Sequence, residues 1–105
     1  MPAVSVLMPC YNASAWVDEA LESVVRQTLS DIEIICVEDG STDDTPLHLD
    51  QWARREGRIR VVRQPHAGVV VASNRGLETC TAPYIARMDA DDRAHPERLA
   101  RQAAY

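Results

Sequence analysis

No lysine occurs in the 105 residues; all 11 basic side chains are arginine. The chain therefore offers no Walker-type phosphate loop, no Schiff base and no lysine general base. A receiver-like signalling domain, which also clusters acids around Mg²⁺ at strand ends, stays as an alternative, although the lysine such domains need beside the phosphoacceptor is missing. A nucleotidyltransferase of similar topology loses both its lysine and its Gly-rich N-terminal loop. Glycine is nearly as scarce. With only Gly40, Gly57, Gly68 and Gly76, no G-x-G-x-x-G marks a dinucleotide site and no G-x-S-x-G marks a serine nucleophile. The three histidines, His48, His66 and His95, have no metal-ligand spacing. Positive charge is in deficit too: the net charge of −5 repels phosphate backbones and anionic lipid, so no nucleic-acid partner is expected. Cysteine is limited to Cys10, Cys36 and Cys80. Odd in number and set in apolar surroundings, they read as reduced, buried thiols of a cytoplasmic domain. No leader-like segment opens the chain, and no run approaches the ~18 apolar residues of a membrane span. Any peripheral membrane contact would belong to parts of a parent protein outside this segment.

What is present is the composition of one folded domain, 46% hydrophobic and 26% charged. A chain of this length buries somewhat over ~60% of the surface it exposes when unfolded, enough for a core without disulfides. Short β-branched runs alternate with longer helical stripes, the pattern of βαβ units around a parallel sheet. Strands are expected over 4–8, ended by Pro9, and over 32–37, 58–63 and 84–88. Helices are expected over about 15–27, 44–56 and 69–79. Val17, Ala20, Leu21 and Val24 form the buried stripe of the first, and Ser41 to Asp44 offer capping oxygens to the second, which Gly57 then stops. Arg58 and Arg60, alternating with Ile59 and Val61, mark the third strand as an edge. A fourth helix opens at Pro96 and is cut at Tyr105. The fold class is α/β: a Rossmann-like, mostly parallel sheet of about four strands flanked by helices. The short final helix, with Leu99 and Tyr105 wanting partners, suggests a segment of a larger protein whose truncated surface would favour self-association.

In open parallel sheets, ligands bind outside the carboxyl ends of the strands. The residues there are polar: Pro9-Cys10-Tyr11-Asn12 after the first strand, Glu38-Asp39-Gly40-Ser41 after the second, and Asp89-Ala90-Asp91-Asp92 after the fourth. Tyr11, Asn12, Glu38, Asp39, Asp89, Asp91 and Asp92 would converge on one rim. Two like charges ~5 Å apart at an effective dielectric near 20 repel by roughly 3 kcal/mol, so such a rim is better explained with a cation present. Oxygen ligands alone point to Mg²⁺ or Mn²⁺. The competing reading is a solvated acidic loop neutralised by Arg87 and Arg93. Glu38 to Ser41 likewise reads as a strand-to-helix turn with Gly40 at positive φ, which leaves two adjacent acids unexplained. A carboxylate there can accept an imide N–H from a base such as uracil, and a ring can stack on Tyr11, which otherwise reads as a half-buried aromatic.

Val4-Ser5-Val6-Leu7-Met8-Pro9-Cys10-Tyr11-Asn12, Glu38-Asp39-Gly40-Ser41-Thr42-Asp43 and Met88-Asp89-Ala90-Asp91-Asp92 together resemble, in order and spacing, the family 2 glycosyltransferases of GT-A fold. Gln27-Thr28, Gly68, Asn74-x-Gly76-Leu77, and Pro96 with Leu99 are lesser echoes. The resemblance spans essentially the whole chain. It implies that residues 1–105 are the nucleotide-sugar-binding half of an inverting glycosyltransferase, with a nucleoside-diphosphate sugar, UDP-linked by preference, as donor. By resemblance, Pro9 and Tyr11 line the nucleoside pocket, Asp39 accepts the base N–H beside Glu38, Asp89 faces the ribose and sugar, and Asp91, with Asp89, holds Mn²⁺ or Mg²⁺ on the diphosphate. The acceptor, whether glycan, lipid or protein, is not indicated. The general base and acceptor half are expected beyond Tyr105, so this segment alone should not turn over. The alternatives in other classes are a non-catalytic domain that keeps the fold and a receiver-like Mg²⁺-binding signalling domain. Two positions depart from the family pattern: Glu38 stands where a first Asp is usual, and Ser73 where many members carry Arg.

Overall fold

Each β-branched run becomes a strand, and each amphipathic stretch becomes the helix that returns the chain to the sheet. The computed structural model describes residues 2–27 and 31–90. In chain order these form β1 (Val4–Cys10), α1 (Val17–Val25), β2 (Ile32–Asp39), α2 (Thr45–Arg55), β3 (Ile59–Gln64), α3 (Val69–Thr79) and β4 (Tyr84–Arg87). The helix expected from Pro96, together with Asp91 and Asp92, lies outside the described residues.

The strands are ordered β3-β2-β1-β4, and every pairing is parallel. Side-chain alternation divides the core into two layers. Val4, Val6, Met8 and Cys10 of β1, with Ile32, Ile34 and Cys36 of β2, pack against the Val17, Ala20, Leu21 and Val24 stripe of α1 and Leu49 of α2. Leu7, Ile35 and Val37 face the other way and meet Ala72 of α3. Gly76 brings α3 close on this side: a Cβ there would lie 2.0 Å from Leu7 Cδ1. β3 is an edge of the described sheet, as the alternating arginines indicate, with Ile59 buried, Arg60 exposed and Arg63 paired to Asp50 of α2.

Two local expectations are corrected. β1 runs through Pro9 to Cys10 instead of stopping at Pro9. The Leu7 carbonyl accepts the Met88 N–H, and β4 pairs no further along β1 than Leu7. The alternation of the strand therefore turns Pro9's missing donor to the β4 flank, where no strand among the described residues pairs with it. Second, Ser41 and Thr42 do not cap α2. The cap position is Asp44, which makes no side-chain cap bond, while Asp43 Oδ1 accepts the Thr45 N–H at 2.9 Å and Pro46 fills the first turn.

Candidate functional site

The strand order reverses around β1. The first crossovers lead to β2 and β3 on one flank, and the last returns to the other flank as β4. Such a reversal leaves a crevice at the carboxyl ends of the strands, where Cys10-Tyr11, Asp39 and Met88-Asp89 emerge.

Alternation also separates the two adjacent acids that close β2. Glu38 falls on the α1/α2 face with Ile34 and Cys36, and Asp39 on the α3 face with Ile35 and Val37. Glu38 is buried, and its carboxylate closes the following turn, accepting the Ser41 N–H at 2.8 Å and the Gly40 N–H at 3.1 Å. Gly40 adopts φ +67°, and a Cβ on it would stand 2.4 Å from the backbone nitrogen of His66. The loops after β2 and β3 therefore touch at this point.

Asp39 organises the second of those loops. Only 2% exposed, it accepts from Gln64 Nε2 at 2.8 Å and the Ala67 N–H at 2.8 Å on Oδ1, and from the Gly68 N–H at 3.1 Å and His66 Nδ1 at 3.1 Å on Oδ2. Burial pushes its carboxyl upward, but the bonds from Gln64, Ala67 and Gly68 and the attraction of His66 outweigh it and hold the group below its ordinary value. Gly68 can lead into α3 because it tolerates φ +97°.

A hydrogen-bonded brace fixes the loop after β1. Asn12, at φ +48°, donates its N–H to Ser41 Oγ at 3.0 Å and accepts the Thr42 N–H on Oδ1 at 2.8 Å. The Ala13 N–H meets Thr45 Oγ1 at 2.8 Å, and the Ser14 N–H meets Asp43 Oδ2 at 3.2 Å. Burial of Asp43 is outweighed by its bonds from Thr45 and Ser14, which bring its carboxyl down to about 2. The residues expected to cap α2 thus bind a segment some 30 positions earlier, a partner no local pattern reveals.

With both loops braced, Pro9, Cys10, Tyr11, Asp39, His66, Gly68, Val69 and Ala72 line a pocket of about 170 Å³. Tyr11 is 44% exposed and stacks on the imidazole of His66, ring centroids 4.1 Å apart and planes 23° from parallel. A second hollow of about 210 Å³, lined by Pro9, Tyr11, Ala13, Trp16 and Ala90, shares Pro9 and Tyr11 with the first. Of the residues singled out from the sequence, Pro9, Tyr11 and Asp39 come together in the first pocket. Glu38 is not among its lining residues. Asp89 is exposed at the end of β4, its Oδ1 3.5 Å from Arg87 Nη2, and the neighbouring Ala90 lines the second hollow. Among the described residues no three His, Cys, Asp or Glu side chains gather to hold a metal ion. Asp89 offers one exposed carboxylate of the hard-oxygen type that Mg²⁺ and Mn²⁺ prefer.

His66 lines the pocket although its spacing from the other histidines gives no sign of a site. The strand-end criterion, applied to the third strand as to the others, leads to Gln64 and His66. Ser73 carries a buried hydroxyl with no hydrogen-bond partner among the described residues. The three cysteines are free, Cys10 and Cys36 buried and Cys80 partly so. Its hydrogen bond with Cys36, then burial, pushes the Cys10 thiol well up. No described helix is long and apolar enough to cross a membrane.

Fold and pocket define an open, all-parallel α/β domain with a ring-lined pocket at the carboxyl edge of its sheet. Residues 5–105 match the model of glycosyl transferase family 2, and the chain belongs to that family. It is 41% identical over 92 residues, 88% of its length, to the uncharacterized glycosyltransferase EpsJ of Bacillus subtilis (strain 168), of which it covers 27%. It is similar to S. aureus TarS 1-349 in complex with UDP-GlcNAc, with a TM-score of 0.90 and 26% identity over 99% of this chain and 30% of that one. It is also similar to the mannosyltransferase PcManGT of Pyrobaculum calidifontis in complex with GDP-Man and Mn²⁺, with a TM-score of 0.85 and 28% identity over 98% of this chain and 31% of that one. The chain thus spans about a third or less of these proteins.

Proposed function

We propose that this chain is the donor-binding half of an inverting glycosyltransferase that takes a UDP-sugar together with Mn²⁺ or Mg²⁺. The observation that carries this reading is the meeting of Tyr11, Asp39 and Pro9 in one pocket at the carboxyl ends of β1 and β2. Tyr11 supplies a stacking face for the base, and Asp39 supplies a charged acceptor for a ring N–H. Pro9 lines both hollows, so a nucleotide with its base in the first pocket would extend across β1 toward Ala90 and Asp89. In that pose Asp89 faces the ribose and sugar. Glu38 supports the pocket from behind through the Gly40-Ser41 turn. Asp89 and Asp91 would hold the metal, which when bound stabilises the charge of the departing diphosphate. The similar structures containing UDP-GlcNAc and GDP-Man with Mn²⁺ support donor and metal alike. The acceptor site and the acidic base that deprotonates the acceptor hydroxyl are assigned to the part of the enzyme absent from this chain, which would then not turn over by itself.

Calorimetric titration of UDP with and without Mn²⁺ tests the reading. Affinity should rise with the metal, lose that gain in Asp91→Asn, and fall about two- to tenfold in Tyr11→Ala. Binding indifferent to Mn²⁺ and to both substitutions would remove the proposal.

A further inference from the structure

The imidazole of His66 makes, within the protein, the two contacts that a nucleobase would make. It is a flat ring stacked on Tyr11, and its Nδ1 lies 3.1 Å from Asp39 Oδ2 and 3.2 Å from the Asp39 carbonyl. Both partners are acceptors, so Nδ1 carries the proton and donates. A ring N–H given to a carboxylate while the ring lies on a phenol is also what a uracil imide would present. No third ring fits between centroids 4.1 Å apart. Tyr11 also lines the second hollow, but Asp39 does not, so a base seated there would forfeit the carboxylate.

We propose that His66 is an internal stand-in for the donor's base, and that a nucleobase bearing a ring N–H enters by displacing it from Tyr11 and Asp39. The inference rests on the reading of this pocket as a nucleoside site, and it makes His66 a determinant of donor affinity. The imidazole can leave alone. Its side chain is 53% exposed, while the Ala67 and Gly68 N–H groups keep the loop on Asp39 after it has swung out. Departure frees an acceptor position on Oδ2 and one face of Tyr11 together.

The test combines NMR of the imidazole protons with UDP titration. In the free protein those protons should be shifted upfield by the Tyr11 ring, and Tyr11→Ala should abolish the shift. Saturating UDP should abolish it too. His66→Ala should bind UDP about two- to tenfold more tightly, the worth of an aromatic pair. His66→Phe, which keeps a competing ring, should gain less than His66→Ala. An upfield shift that persists at saturation, or weaker binding by His66→Ala, would overturn the displacement while leaving the nucleoside pocket intact. Absence of UDP binding to wild type and His66→Ala alike would overturn the pocket reading, and this inference with it.

Discussion

At Gly40 and Asp39, single side chains decide whether the pocket exists. Gly40 carries two constraints: positive φ, and a neighbouring backbone that a Cβ would strike at 2.4 Å. The left-handed conformation alone costs a residue with a Cβ roughly 1–2 kcal/mol, and the contact adds to it because backbone cannot rotate aside. Gly40→Ala should therefore lose at least about 2 kcal/mol in urea denaturation; a loss well below 1 kcal/mol would show that the two loops are not pressed together. The glycine was legible as a turn residue in the sequence, but its second constraint was not, since His66 lies 26 positions away. Asp39 was legible as a candidate because it closes a strand. That it also anchors the 64–68 loop, through Gln64, Ala67 and Gly68, follows only from the packing of β3 beside β2.

Among the elements, β4 is the one that depends most on a buried polar clamp. Its four residues are largely exposed, and its described pairing is with β1 alone. Glu33, an acid within the apolar run of β2, accounts for how its approach is held. Its Oε2 accepts the Ser5 hydroxyl, the Thr81 N–H at 2.6 Å and the Thr81 hydroxyl at 2.9 Å, while Ser5 Oγ accepts the Ala82 N–H at 3.0 Å. Burial works against the ionised group, yet the bonds from Ser5, Thr81 and Ala82 hold its carboxyl below the ordinary value. Glu33→Ala would leave the Thr81 N–H and the Ser5 hydroxyl without this acceptor, a loss of about 1–3 kcal/mol. Amide exchange should accelerate at Thr81, Ala82 and along β4 before it does in β2; unchanged protection at Thr81 and Ala82 would refute the clamp. Since β4 delivers Asp89, the clamp also bears on the site.

Across the whole molecule, acid is the condition the fold should tolerate least. Glu33, Asp39, Asp43 and Glu56 are all held below their ordinary values, 3.8 for aspartate and 4.5 for glutamate, in Glu56 chiefly by its bond from Arg58. A carboxyl whose folded value is the lower one binds more protons when unfolded. Its contribution is thus complete above the unfolded value and is withdrawn as pH falls through the folded one. Stability should be level with respect to these four groups above about pH 5 and should decline from about 4.5 toward 2. Asp43, down to about 2, would account for on the order of 1 kcal/mol after discounting for partial exposure. Asp43→Asn should flatten the lower part of that curve in chemical denaturation at stepped pH. An unchanged slope would mean that the brace between the first two loops carries no linkage.

By itself the sequence determined the layers. Period-2 apolar runs and 3.6-period stripes favour strands and covering helices where they occur, and those local constraints yielded four strands, the three helices among the described residues and the edge position of Arg58-x-Arg60. It also placed Tyr11, Asp39 and Asp89 at strand ends, because position along a strand is a local property. Only tertiary structure decided which neighbouring groups work together. Packing of α1 and α2 on one face and α3 on the other gave Glu38 and Asp39 different surroundings, the crossover set β4 beside β1, and loops distant in sequence met through Gly40 and His66. These choices depend on side-chain hydrogen bonds between segments 25 to 77 positions apart, whose partners a one-dimensional pattern does not encode.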